Sequence, residues 1–147
     1  MLRPMTMEDI PNVAQLMALM YEESVNYHKL SFSWDRVEEV CRQTIEGGFA
    51  LVYDQGDGVI VGVFGGVVYE PTFSRDIMAS DLVFYVHPNH RGYVSIRMIK
   101  AFIAWSVGKG CKLISVGVTA GIDNDRVVEL YESMGFVRAG NSLMMEV

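Results

Sequence analysis

The chain has 147 residues, half of them hydrophobic and a fifth charged, with a formal net charge of −6. That length fits one domain with a single sizeable core, and the acid excess argues against a nucleic-acid binder while suiting a cationic substrate. The apolar run at residues 59–64 is far too short to cross a bilayer, and no basic segment followed by a long apolar one opens the chain.

Residues 1–4 read as a short strand. Thr6 and Asp9 resemble a capping box ahead of a helix with Ile10, Val13, Met17 and Met20 on one face. Residues 28–33 break that helix. Ser33 caps a second one bearing Val37, Val40 and Ile45, ended by Gly47 and Gly48. Strands are predicted over 49–53 and 59–69, joined by the glycine-bearing turn 54–58 of a hairpin. A loop over 70–76 leads to a strand over 78–87. Strict alternation there puts Asp81, Val83, Tyr85 and His87 on one face and Leu82, Phe84 and Val86 on the other. A helix over about 94–107 follows, between Gly92 and Gly108. It is apolar nearly all round and should be buried on most sides, with Arg97 and Lys100 on a solvated face. Residues 113–118 form a strand, and two short strands around Gly140 close the chain. Helices alternating with strands around an antiparallel centre make a mixed α/β fold. Cys41 and Cys111 lie in different elements without metal-ligand spacing, so free thiols in a reducing compartment, the cytoplasm, are expected. The ten methionines serve as flexible core filler.

The segment 124–136 carries the strongest chemical signal. Asp123 or Asn124 can accept from the first free amides of a helix, and Val127, Leu130 and Met134 make its apolar stripe. Gly135 supplies a left-handed stop. Tyr131 sits at the edge of the stripe, where a phenol packs its ring and extends its hydroxyl into a cleft. Asn124, Leu130, Tyr131, Gly135 and Phe136, with Val127 where a small residue is usual, resemble the C-terminal motif of the GCN5-related N-acetyltransferases, the GNAT superfamily. Residues 118–122 are similar to the same region of small phage-associated and bacterial members.

The resemblance covers nearly the whole chain and implies one GNAT acyltransferase domain over residues 1–147. The implied α/β fold has a mixed, mostly antiparallel sheet flanked by helices and splayed between the strands near 78–87 and 113–118. It implies acetyl-CoA as cosubstrate, no metal, and direct acetyl transfer to a primary amine on a small molecule or peptide. Tyr131 would protonate the departing coenzyme A thiolate.

The superfamily's coenzyme motif should join the 78–87 strand to the long helix. A helix N-terminus binds a pyrophosphate through free amides and its positive dipole end, and close approach favours glycine. Two registers fit the segment 87–98. One starts at Arg91 and puts Val94 and Ile96 in the glycine positions. The other starts at His90 and puts Tyr93 and Ser95 there, and Gly92 is the only glycine available. The coenzyme-binding candidates are therefore Val86, His87, His90, Arg91, Gly92, Tyr93, Val94, Ser95, Ile96 and Asn124, with affinity weaker than is usual for the family.

Residues 79–84 are similar to the segment that holds the general-base glutamate in histone-type members, with Asp81 at that position. A solvated strand-start carboxylate is the alternative, and His87 and His90 are alternative bases. Tyr27, His28, Phe32, Trp34 and Phe73 fall in the two segments that usually wall the acceptor site, where they suit an apolar or cationic amine. Two other classes stay open: a GNAT-fold binding module that has lost tight coenzyme binding, and an assembly protein with a vestigial cleft. A homodimer is compatible with each.

Overall fold

The computed structural model describes residues 1–147. Its elements follow in the order β1 (Leu2–Pro4), α1 (Ile10–Glu23), α2 (Trp34–Gly47), β2 (Phe49–Asp54), β3 (Ile60–Tyr69), β4 (Met78–Val86), α3 (Tyr93–Gly108), β5 (Leu113–Ser115) and α4 (Asn124–Ser133). The five strands stand side by side in chain order, the first four antiparallel and β5 parallel to β4. The chain is thus an α/β protein with a mixed sheet flanked by four helices.

Local chemistry explains most boundaries. The Asp9 carboxylate accepts from the Thr6 amide at 2.8 Å, and Ser33 Oγ accepts from the Arg36 amide at 3.2 Å, so both first helices start where capping residues stand. Gly135, at φ 100°, ends α4 with its own amide on the Glu132 carbonyl and that of Phe136 on the Tyr131 carbonyl.

Two cores lie on opposite faces of the sheet. Phe49, Phe64, Met98, Ile99 and Phe102 pack between the sheet and α3, while Val13, Leu16, Cys41, Val52 and Val63 pack under α1 and α2. Gly66 lets α3 approach: a Cβ there would stand 2.6 Å from the Phe102 ring.

Strict alternation along β4 does not hold. Gly65 pairs with Val83 but Gly66 pairs with Asp81, which leaves Leu82 as an extra, unpaired residue in a β-bulge. Residues opposed across a ladder share a face. Asp81 therefore lies with Ala79, Phe84 and Val86 on the α3 side, not with Val83, Tyr85 and His87.

Three further expectations need correction. The strand over 113–118 stops at Ser115, where its pairing with β4 ends. No strand forms around Gly140: β5 offers only three residues to pair with, and Val137, Leu143 and Met145 stay exposed. Neither Asp123 nor Asn124 caps α4 through its side chain. Asp123 enters the helix in the left-handed region at φ 47°, and Asn124 Oδ1 turns back to accept from the Gly121 amide at 3.2 Å.

Candidate active site

The β4–β5 ladder pairs Met78 with Leu113, Ala79 with Ile114 and Ser80 with Ser115, and then the strands part. The fork opens a cleft of about 940 Å3 lined by β4, the turn into α3, residues 117–124 and α4. Asp81 is the first β4 residue past the paired stretch, at the apex of the fork. Its Oδ1 accepts a 3.0 Å hydrogen bond from the Gly117 amide on the other arm. Burial raises its pKa above the ordinary carboxylate value, and the Gly117 bond offsets only part of that rise.

Tyr131 reaches the same cleft from α4. It is the one buried residue of that helix, 3% exposed, and so forms the centre of the packed stripe rather than its edge. Its ring meets Phe136 and Phe84 edge-on, with centroids 5.2 and 6.3 Å away. Tyr131 Oη is the only buried side-chain oxygen or nitrogen in the protein without a hydrogen-bond partner. Burial pushes this phenol well above its usual pKa, and the nearby Asp81 charge pushes the same way. The hydroxyl therefore keeps its proton at any physiological pH.

The turn into α3 is built on Gly92, whose φ 101° and ψ −100° suit a residue without a Cβ. The first helical bond runs from the Ile96 amide to the Gly92 carbonyl at 3.0 Å, and the amides of Tyr93, Val94 and Ser95 are left without acceptors. Val94 sends its side chain into the core and Tyr93 is 70% exposed, while Ser95 and Ile96 line the cleft. An anion can thus reach a helix start with positive dipole character.

Of the residues singled out in the sequence, Asp81, Val86, Arg91, Gly92, Ser95, Ile96, Asn124 and Tyr131 gather on this cleft. His87 and His90 do not. They line a separate depression of about 470 Å3 beside α1, with Asn12, Gln15 and Asp57. Arg91 is engaged: its Nη2 stands 2.9 Å from both oxygens of Glu23, and its Nε donates to the Val86 carbonyl at 3.0 Å. Its guanidinium also covers the Tyr85 ring, and Tyr85 Oη donates to Glu23 Oε1 at 2.6 Å.

Glu23 was not foreseen, although an acid in the last turn of a helix opposes the dipole and calls for a cationic partner. Also unforeseen is a strap across the cleft. Ser24 Oγ donates to the Ala120 carbonyl and Asn26 Nδ2 to the Thr119 carbonyl, both at 2.6 Å, and Tyr27 Oη meets Thr119 Oγ1 at 2.7 Å. No local sequence pattern marks these contacts between residues more than ninety positions apart.

The sheet thus forks over a helix start, with a carboxylate at the apex and a buried phenol on the same cleft. Residues 13–136 match the model of the Acetyltransferase (GNAT) family, and the chain belongs to that family of N-acetyltransferases. No curated protein matches the sequence. Among solved structures, a Trypanosoma brucei acetyltransferase superposes with a TM-score of 0.74 at 18% identity, over 100% of this chain and 99% of its own. A ribosomal-protein-alanine N-acetyltransferase from Brucella melitensis gives 0.75 at 16% identity, over 100% and 98%. An aminoglycoside acetyltransferase from an uncultured soil metagenomic sample gives 0.73 at 19%, over 100% and 94%. At these identities the likeness is one of fold.

Proposed function

We propose that the protein transfers an acetyl group from acetyl-CoA directly to a primary amine of a small molecule or peptide. The coenzyme pyrophosphate rests on the open amides of Tyr93, Val94 and Ser95 at the head of α3. Pantetheine runs between the parted strands past Val86 towards Asp81 and Tyr131, with Asn124 on its other side. The amine must lose a proton before or as its nitrogen attacks the thioester carbon. Asp81 takes that proton, directly or through one water, and its raised pKa makes it a better base than an ordinary carboxylate. The nitrogen–carbon bond forms, the carbon–sulfur bond breaks, and the departing thiolate receives a hydrogen bond and then a proton from Tyr131 Oη.

The observation that carries this reading is the unpartnered Tyr131 hydroxyl, because a buried orphan donor at a cleft calls for an acceptor brought by a ligand. The missing motif glycines are no obstacle to amide donation, since Val94 turns its side chain into the core. Calorimetric titration with acetyl-CoA, together with an amine panel followed by thiol release, tests the proposal. Saturable binding and amine-dependent thiol release are expected. No heat at millimolar acetyl-CoA would leave the chain a binding module on a GNAT fold.

A further inference from the structure

On the face opposite α4 the cleft is walled by the end of α1 and the segment leading to α2: Met17, Met20, Tyr21, Tyr27 and Phe32, with Tyr85 of β4 beside them. Every polar group of this wall is already engaged within the protein. Tyr21 Oη donates to the Leu30 carbonyl at 2.7 Å, and Tyr27 Oη pairs with Thr119 Oγ1. Tyr85 Oη donates to Glu23, Ser24 Oγ to the Ala120 carbonyl, and both Glu23 oxygens are held by Arg91. Tyr21 and Phe32 are further fixed against each other, their ring centroids 5.3 Å apart. The wall therefore offers ring surfaces and thioethers but no uncommitted charge.

We infer that the acceptor is an amine with a single cationic nitrogen and an apolar aryl or alkyl body, rather than a polyamine or aminoglycoside. This deepens the acetyl-transfer reading and rests on it. A polycation needs a counter-charge for each buried ammonium, because an unpaired one is costly to desolvate. Asp81 supplies the carboxylate at the fork, and Glu23, beside the wall, is neutralised by Arg91. Asp123 and Glu129 line the cleft only from the α4 side and are solvent-exposed. A single ammonium directed at Asp81 leaves the rest of the molecule to displace water from aromatic and methionine surface, which is favourable in proportion to apolar area. A flexible thioether wall also tolerates different apolar shapes.

The test compares 2-phenylethylamine and hexylamine with spermidine and kanamycin, by thiol release at saturating acetyl-CoA. The two monoamines should show kcat/KM on the order of tenfold or more above the two polycations, the scale set by filling or missing a hydrophobic pocket. Spermidine or kanamycin turned over as well as the monoamines, or better, overturns the inference. If no amine is turned over, direct titration decides. Saturable binding of 2-phenylethylamine but not spermidine supports the wall assignment, and any other result overturns it. The acetyl-CoA titration reports separately whether the acetyl-transfer reading itself has failed. Tyr27→Glu adds a free carboxylate at a partly exposed ring of the wall. It should raise kcat/KM for spermidine while lowering it for 2-phenylethylamine, opposite changes that simple loss of structure cannot produce. Parallel changes overturn the inference.

Discussion

Arg91 and Glu23 are joined by a forked ion pair, with one guanidinium nitrogen 2.9 Å from both carboxylate oxygens. The pair ties the last turn of α1 to the turn that opens α3, and Tyr85 completes it from β4. It thus fixes the acceptor wall and the proposed phosphate site to each other. Both side chains are about a third exposed, 30% and 32%, so solvent screens part of their attraction.

Glu23→Gln should lower stability by about 1 to 2 kcal/mol, between the values for exposed and fully buried pairs. Urea unfolding at neutral pH measures this directly. The same variant releases Arg91 for an approaching phosphate, so acetyl-CoA should bind at least as tightly as to wild type. Weaker binding would mean that the guanidinium serves best where Glu23 holds it.

Gly92→Ala addresses the anion site without touching any packed neighbour, since a Cβ there meets nothing within 4 Å. The cost is pure backbone strain at φ 101°, about 1 to 3 kcal/mol for a residue forced into such a region. Part of that strain should be relieved by rotating the α3 start, which moves the open amides. A fall in acetyl-CoA affinity alongside the drop in melting temperature is expected. Unchanged affinity would detach the coenzyme from this helix start.

The sequence made most elements legible because their signals are local. Ser33 caps within three residues, and Gly135 stops a helix by its own φ. Where the structure departs from the local pattern, the deciding contact is distant. The bulge at Leu82 moves Asp81 to the face opposite the one strict alternation assigns, and its only trace is the Gly65–Gly66 pair on the neighbouring strand. Arg91 is marked by its motif position alone, while its ion pair with Glu23 joins residues 68 positions apart and leaves no local trace. Tyr131 was recognisable as a motif residue, but its centrality in the packing depends on Phe84 and the sheet beneath.

Asp81→Asn separates catalysis from stability through pH. As a base, Asp81 must be ionised, so the wild-type rate should fall as pH drops through its raised pKa, and the Asn variant should lose both rate and that acidic limb. Stability moves the other way. A carboxyl whose folded pKa is raised contributes stability that is present below its unfolded value and lost as pH rises through the folded one. Asn carries no such penalty and still accepts from the Gly117 amide. The variant should therefore melt higher than wild type at pH 7, with the gap closing at acid pH. A slower enzyme with an unchanged acidic limb would place the base elsewhere.

Tyr131→Phe gives the sharpest contrast between a packing residue and a working one. The ring contacts with Phe84 and Phe136 survive the change, and what is lost is a buried hydroxyl that bonds to nothing in the folded protein. Removing an unsatisfied buried polar atom should leave the protein as stable as before, or about 1 kcal/mol more so. Catalysis should suffer instead. The thiolate charge develops in a cleft shielded from water, where a positioned donor counts for more than in solvent. The raised phenol pKa holds the proton on oxygen until the sulfur demands it, so most of the benefit is a hydrogen bond that tightens in the transition state. A loss on the order of a hundredfold in kcat, with little change in the KM for acetyl-CoA, is expected for an interaction of that kind. Undiminished stability with a large kcat loss identifies the hydroxyl as the group that stabilises the leaving thiolate. Activity within twofold of wild type would leave Tyr131 as a core residue whose orphan oxygen serves no step of the reaction.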